Sequence, residues 1–367
     1  MPARSTNIRI LISGTLACGG VGTQIAILCR ILLNEGASVS CCATHCQWSA
    51  EELEELRASG AKVHLSKFGG WGALLTWPLI IRREYDVLYC IGHGRSHALA
   101  RRFLRPGGIA LYHEVLDCPA PESVAARIIP IMDGLVANSR IVGRDMRERW
   151  PKKPVRVIPF LTADRVVAAP PPRPAIDRRE LRVVYLGRLV EYKGAPRLIR
   201  EWASLSRRTP LAPARLDIYG SDLDPATLPR LRKSIEDRGL QDRVCCHGPY
   251  KHGDISKILA DADLVVLPSE WEGLPLVLVE AMQHGVPVVA TNVGGNSELG
   301  EANADVIITD PAWDPFVDGL LRMATKLRGG EIDAVRLHRW TEPRYGYATV
   351  ARQWRRALLD SQDYFSQ

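Results

Sequence analysis

No stretch of this 367-residue chain stays apolar for the roughly 20 residues that a membrane-spanning helix needs, so a helical membrane protein is not expected. No Gly-x-Gly-x-x-Gly occurs, which argues against a dinucleotide oxidoreductase. No Cys-x-x-Cys pair occurs among the nine cysteines. The adjacent pairs Cys41-Cys42 and Cys245-Cys246 lie in apolar strand patterns, where neighbouring side chains point to opposite faces, so neither pair closes an ordinary disulfide. Cys42, His45 and Cys46 have the residue types of a metal site, but no second half follows at finger-like spacing. Free thiols in a reducing compartment are the expectation. The opening Met-Pro-Ala-Arg-Ser-Thr-Asn lacks the apolar segment and small-residue cleavage site of a signal peptide, which also points to the cytoplasm.

The composition is that of a globular protein, with 46% hydrophobic and 24% charged residues, and the length suits two domains. The net charge of +7 is uneven: residues 1–165 hold 21 Lys and Arg against 14 Asp and Glu, and the remainder holds 27 against 27. Such a basic first half suits an anionic membrane surface or a phosphorylated ligand as partner; nothing suggests nucleic acid. Within it, Trp71-Gly72-Ala73-Leu74-Leu75-Thr76-Trp77-Pro78-Leu79-Ile80-Ile81-Arg82-Arg83 has the composition of an interfacial segment. The strand alternation at this position instead calls for a core helix ended by surface arginines, and that reading is preferred.

Short apolar strands alternate with helical patterns along both halves. Strands are predicted at Ile8–Ser13, Val39–Ala43, Lys62–Leu65, Asp86–Ile91, Ile109–His113, Gly134–Asn138 and Val155–Phe160, with a helix over about 22–35. After the stiff Ala168-Ala169-Pro170-Pro171-Pro172-Arg173-Pro174, read as a linker, strands recur near 182–187, 214–219, 243–247, 264–268, 286–291 and 304–309. The fold class is α/β: two Rossmann-like, doubly wound domains facing across a cleft, with ligands at the carboxyl ends of the strands.

The candidate chemistry lies at such strand ends. Glu272 and Glu280 are eight positions apart, the first on the turn after Leu264-Val265-Val266-Leu267 and the second about one turn into a helix opening near Pro275. Between them Gly273, Leu274, Leu276 and Val277 supply the backbone of a helix N-terminus, which suits a phosphate; Pro275 has no N–H to add. Carboxylates flanking an anion site suit a nucleotide sugar, with hydroxyl-bearing rings at both ends and a diphosphate between them. Earlier, Arg188 and Lys193 follow the strand Val183-Val184-Tyr185-Leu186 on a glycine-punctuated turn.

The glycines at 19–20, the Gly-Arg and Lys-Gly pair at 187–188 and 193–194, the Glu-x7-Glu stretch and the later Asn-Val-Gly-Gly-Asn-Ser-Glu (292–298) occur in the order of a known family. Together they resemble the donor site of retaining glycosyltransferases of family 4, which have the GT-B fold. The resemblance implies transfer of a sugar from a nucleoside diphosphate, UDP or GDP, to a hydroxyl acceptor that is carbohydrate or lipid-linked. It implies no cofactor and no metal, with Arg188 and Lys193 meeting the charge of the leaving diphosphate. Glu272 would contact the donor sugar, Glu280 the ribose, and the Gly294-Gly295 turn would let backbone approach the donor. Gly19 and Gly20 would face donor phosphates or acceptor. Of nine histidines, His113 at a strand's carboxyl end is assigned the family's polar role in the first domain, ahead of His93 and His97.

On this likeness residues 1–167 form an acceptor-side domain, 168–180 a linker, 181–344 the nucleotide-sugar domain, and 345–367 a helix crossing back to the first domain. Family members often carry Gly-Phe-Gly where this chain has Gly273-Leu274-Pro275, and the usual Asn-Gly after Pro159 is absent. A bacterial envelope polysaccharide or glycolipid is the implied product, made in the cytoplasm or at the inner face of the membrane. Three alternatives stand beside it: a nucleotide-sugar epimerase on the same fold, a secondary-metabolite glycosyltransferase, and a nucleotide-sugar-binding protein without turnover.

Overall fold

The computed structural model describes residues 8–14, 16, 20–66, 73, 77–78, 81–82, 84–92, 94, 96–115, 124–163, 165–172, 180–222, 224–301, 303–361 and 365. The chain divides into two compact units, Met1–Val166 with Tyr347–Gln367, and Val167–Gly346.

In the first unit seven strands form one parallel sheet: β1 (Arg9–Ser13), β2 (Ser38–Ala43), β3 (Lys62–Leu65), β4 (Tyr85–Ile91), β5 (Leu104–Glu114), β6 (Gly134–Ala137) and β7 (Val155–Val157). Their order is β3-β2-β1-β4-β5-β6-β7. Helices cover the sheet, so its central strands are buried on both faces. Ile10, Leu11 and Ile12 of β1 and Leu88, Tyr89 and Cys90 of β4 have no exposed surface. Such strands read as continuous apolar runs, and for that reason they are conspicuous in sequence.

β5 begins five residues before the predicted Ile109. Pro106-Gly107-Gly108 carries turn chemistry, and the pairing with β4 shifts register between Tyr85 and Val87 as the strand passes it. The C-terminal helix Tyr347–Leu359 packs against helix Gly20–Asn34 of this unit. Its fully buried Trp354 donates from Nε1 to the carbonyl of Pro159 at 2.9 Å. Most of the tryptophan-bearing segment at 71–83 lies outside the described residues. Those described include Ala73, Trp77 and Ile81, which are buried in the core of this unit.

The second unit has a six-stranded parallel sheet: β8 (Leu181–Leu186), β9 (Ala214–Tyr219), β10 (Val244–Gly248), β11 (Leu264–Leu267), β12 (Val288–Thr291) and β13 (Val306–Thr309). The order is β10-β9-β8-β11-β12-β13. The chain therefore winds outward from β8 in one direction, then returns to lay β11 on the other side of it. Connections leaving β8 and β11 turn to opposite faces, which opens a crevice at their carboxyl ends. Leu198, Ile199 and Trp202 of helix Ala195–Leu205 and Phe316 and Leu320 of helix Trp313–Arg328 are fully buried.

Candidate active site

The crevice between β8 and β11 brings together four of the residues singled out in the sequence. Arg188 and Lys193 lie on the connection after β8, and Glu272 lies on the connection after β11. Glu280 is the fifth residue of helix Leu276–Gln283, which follows that second connection. Two glycines allow the connections to approach one another. Gly194 has φ +88°, and a Cβ there would stand 2.7 Å from the carbonyl oxygen of Pro268. Gly294 has φ +51°, and a Cβ there would meet the carbonyl oxygen of Glu272 at 1.7 Å. Neither the left-handed backbone nor the space admits another residue. Gly295 donates its N–H to the carbonyl of Gly273 at 2.6 Å, fastening the loop after β12 to the Glu272 turn.

Lys193 Nζ is 2.7 Å from Glu272 Oε2 and also donates to the carbonyl of Trp271 at 3.1 Å. The Glu272 carboxylate takes a further hydrogen bond from the Ser269 hydroxyl at 2.8 Å. Both members of this ion pair are largely buried, so each fixes the other's position in a medium where a single charge is costly. Arg188 is more open: it donates to the Tyr192 hydroxyl at 3.3 Å and stands 3.5 Å from Asp222. Beside this pair, Pro275 occupies the N-cap of helix Leu276–Gln283 with no side-chain hydrogen bond to the first turn. The helix therefore presents its leading N–H groups, including those of Leu276 and Val277, without a side-chain cap. Leu274 is buried against the core, and Trp271 is exposed.

Glu280 is in a different electrostatic situation. It is buried, and burial pushes its carboxyl up to about 8. His252 Nδ1 lies 3.7 Å from Oε1, and the half-buried Tyr250 nearby has its hydroxyl pKa raised by desolvation and by the charge of Glu280. At neutral pH the carboxyl is protonated until a partner stabilises the anion.

In the first unit His113 lies at the end of β5, fully buried, with Phe160, Trp354 and Tyr89 ringed about it at 5.0, 5.2 and 6.0 Å. Its Nδ1 is bonded to the Tyr89 hydroxyl at 2.7 Å, while Nε2 has no hydrogen-bond partner among the described residues. Desolvation lowers its pKa to about 3, so the imidazole is neutral. His97, the runner-up, sits where the first sheet changes winding direction. It bonds Ser13 Oγ at the end of β1 and the carbonyl of Gly92 after β4, both at 2.9 Å. Gly20 opens helix Gly20–Asn34; Gly19 and His93 lie outside the described residues.

Sequence reasoning missed Tyr192, Asp222, Ser269 and His252. Only Ser269, three residues before Glu272, carried a local signal. Two Asp-x-Asp triplets of the kind that hold divalent cations are also present, at Asp222-Leu223-Asp224 and Asp261-Ala262-Asp263. Asp222 faces Arg188, Asp224 pairs with Arg230, Asp261 pairs with Arg182, and Asp263 accepts the backbone N–H of Arg182.

Two parallel Rossmann-like units of this kind are the fold of GT-B glycosyltransferases. The solved structure titled "Crystal structure of Anabaena Alr3699/HepE in complex with UDP and glucose" superposes over 98% of this chain and 99% of its own at a TM-score of 0.73, with 18% identity. Residues 171–326 match the family described as "Glycosyl transferases group 1". The chain is homologous to named glycosyltransferases. It is 29% identical over 280 residues to the alpha-D-kanosaminyltransferase of Streptomyces kanamyceticus, covering 73% of this chain and 69% of that one. It is 30% identical over 240 residues to the D-inositol 3-phosphate glycosyltransferase of Corynebacterium glutamicum (strain R), covering 60% and 57%. No helix among the described residues is long and apolar enough to cross a membrane.

Proposed function

We propose that this protein is a retaining, metal-independent glycosyltransferase of family 4 that moves a sugar from a nucleoside diphosphate, UDP or GDP, to a hydroxyl acceptor. The observation that carries the reading is the group at the winding switch of the second sheet. There the buried Lys193–Glu272 pair and Arg188 lie beside the uncapped N-terminus of helix Leu276–Gln283. Cleaving the bond from the anomeric carbon to the diphosphate develops negative charge on the leaving oxygen. Arg188, Lys193 and the N–H groups of Leu276 and Val277 meet that charge, and they stabilise the transition state more than the ground state.

Lys193 would divide its charge between Glu272 and the phosphate, while Glu272 accepts from hydroxyls of the donor sugar. Glu280 would take the ribose hydroxyls. The acceptor attacks the face the diphosphate leaves, and the departing phosphate oxygen takes the acceptor's proton. His113, being neutral, would contribute hydrogen bonding and no charge. With two cations in place no divalent metal is required, and no cofactor is used. The name of the Corynebacterium glutamicum relative, a D-inositol 3-phosphate glycosyltransferase, supports a cyclitol or carbohydrate acceptor, and the product would be a secondary metabolite or an envelope glycolipid.

The test is incubation with a panel of UDP- and GDP-sugars, with and without candidate acceptors. Nucleoside diphosphate released only with acceptor, and the anomeric configuration of the donor kept in the product, would bear the proposal out. Sugar interconversion without acceptor would make the protein an epimerase. No stabilisation by UDP or GDP at concentrations far above a micromolar dissociation constant would remove the nucleotide-sugar reading altogether.

A further inference from the structure

On the edge strand β10 and its neighbour β9, the second unit carries a Cys-His-Asp array that the reaction above does not use. Cys245 and Asp217 are directly paired across the two strands, His247 lies two residues further along β10 where the register shifts, and its contacts to both bring all three side chains together. His247 Nε2 is 2.8 Å from Asp217 Oδ1, and Nδ1 is 3.7 Å from Cys245 Sγ. A carboxylate only accepts, so Nε2 carries the proton given to Asp217 and Nδ1 is left as an acceptor turned to the sulfur.

The ring is held there by Tyr219, stacked on it at 4.2 Å with 5° between the planes. Asp217 is fully buried and is itself fixed by Arg215 at 2.8 Å and Arg182 at 3.7 Å. Those guanidinium groups also put positive charge near a sulfur that becomes negative as it reacts. Cys245 is partly exposed. Cys246, the next residue, faces the other way, and burial pushes its thiol up to about 11.

We propose that Cys245 is a nucleophilic thiol and a covalent modification site for low-molecular-weight disulfides and alkylating electrophiles, with His247 as its general base and Asp217 as the group that positions His247. In the exchange, Sγ attacks one sulfur of the disulfide while its proton passes to His247 Nδ1. The disulfide's S–S bond breaks, and the departing sulfur takes the proton back from His247. Cys245 is oxidised to a mixed disulfide, and the reagent is reduced to one free thiol. Cys, His and Asp are also zinc ligands, but the two arginines held against Asp217 oppose a cation there.

The experiment treats the native full-length protein with limiting iodoacetamide and follows each cysteine by peptide mass spectrometry. Cys245 should be alkylated at least about tenfold faster than the partly exposed Cys46, and His247→Gln should slow it by about tenfold or more without changing Cys46. Oxidised glutathione should form its mixed disulfide at the same residue. Modification of Cys246 would report unfolding of the variant; in that event the wild-type contrast between Cys245 and Cys46 decides. Equal rates at Cys245 and Cys46, or an unchanged Cys245 rate in folded His247→Gln, overturns the proposal. So does stoichiometric Zn²⁺ binding that abolishes the reactivity, which makes the array a metal site.

Discussion

Replacing Glu280 with glutamine should stabilise the protein at alkaline pH. Burial lifts this carboxyl from 4.5 to about 8, so the folded state holds the proton more tightly than the unfolded chain does. Its contribution to stability is fully present below about pH 4.5 and is lost as pH rises to about 8. At about 1.4 kcal/mol for each unit, the loss has a ceiling of about 5 kcal/mol, and structural relaxation brings the expected figure to about 2–5 kcal/mol. Glutamine keeps the shape and does not ionise. His252, 3.7 Å away, offsets the cost where it is protonated, so the window above neutrality isolates the effect. Urea denaturation of wild type and Glu280→Gln at pH 5, 7 and 9 measures it. The two proteins should be nearly equal at pH 5, and the variant should lead by about 2–5 kcal/mol at pH 9. A difference that stays constant from pH 5 to 9 would refute the argument that Glu280 is desolvated.

The same carboxyl makes nucleotide binding a proton-linked event. Ribose hydroxyls that donate to Glu280 favour its anion, so UDP binding at pH 7 should release a proton; calorimetric enthalpies independent of the buffer's ionisation enthalpy would count against the ribose role. Arg188→Ala and Lys193→Ala should each lower turnover by about 10² or more, and near-wild-type rates in both would sink their assignment to the leaving group. Gly294→Ala should cost more than about 2 kcal/mol and most of the activity, because the new Cβ would overlap the Glu272 carbonyl; thermal unfolding and turnover within error of wild type would show that the loop is free to move. EDTA should leave activity intact, and a complete loss restored by Mg²⁺ or Mn²⁺ would show that the two cations do not suffice.

Much of the architecture is legible because parallel strands buried on both faces must be apolar throughout. The strands among the described residues each overlap a predicted strand, the central ones as aliphatic runs, and the helix after Glu272 opens one residue past Pro275, where fixed φ and a missing N–H favour a start. The contacts that turn those elements into a site are not legible in the same way. Asp222 against Arg188 and His252 against Glu280 join residues from separate segments of the chain, while Tyr192 meets Arg188 within one connection, and in each case the contact depends on how a loop leaves the sheet. His113 illustrates the limit. Alternation along β5 places it at the carboxyl end of the strand, but its imidazole faces Trp354, which arrives from a helix more than two hundred residues later in the chain.

The two glutamates of the Glu-x7-Glu stretch show most clearly what spacing conceals. In sequence they are equivalent carboxylates that can face one ligand. In the structure Glu272 shares a buried ion pair with Lys193 at 2.7 Å and a hydrogen bond with Ser269, so it is an anion whose negative charge is already balanced. Among the described residues Glu280 has no Lys or Arg paired with it, and burial raises its proton affinity. A donor entering the site therefore meets one fixed acceptor and one group that must exchange a proton for a hydroxyl contact. The first can act throughout the reaction without a change of charge, which suits it to the sugar at the reacting centre. The second contributes affinity that depends on pH, which suits it to a part of the ligand that does not react. That division would appear as a pH dependence of the nucleotide's dissociation constant that survives Lys193→Ala, even as binding weakens, and is abolished by Glu280→Gln; the reverse pattern would exchange the roles of the two carboxylates.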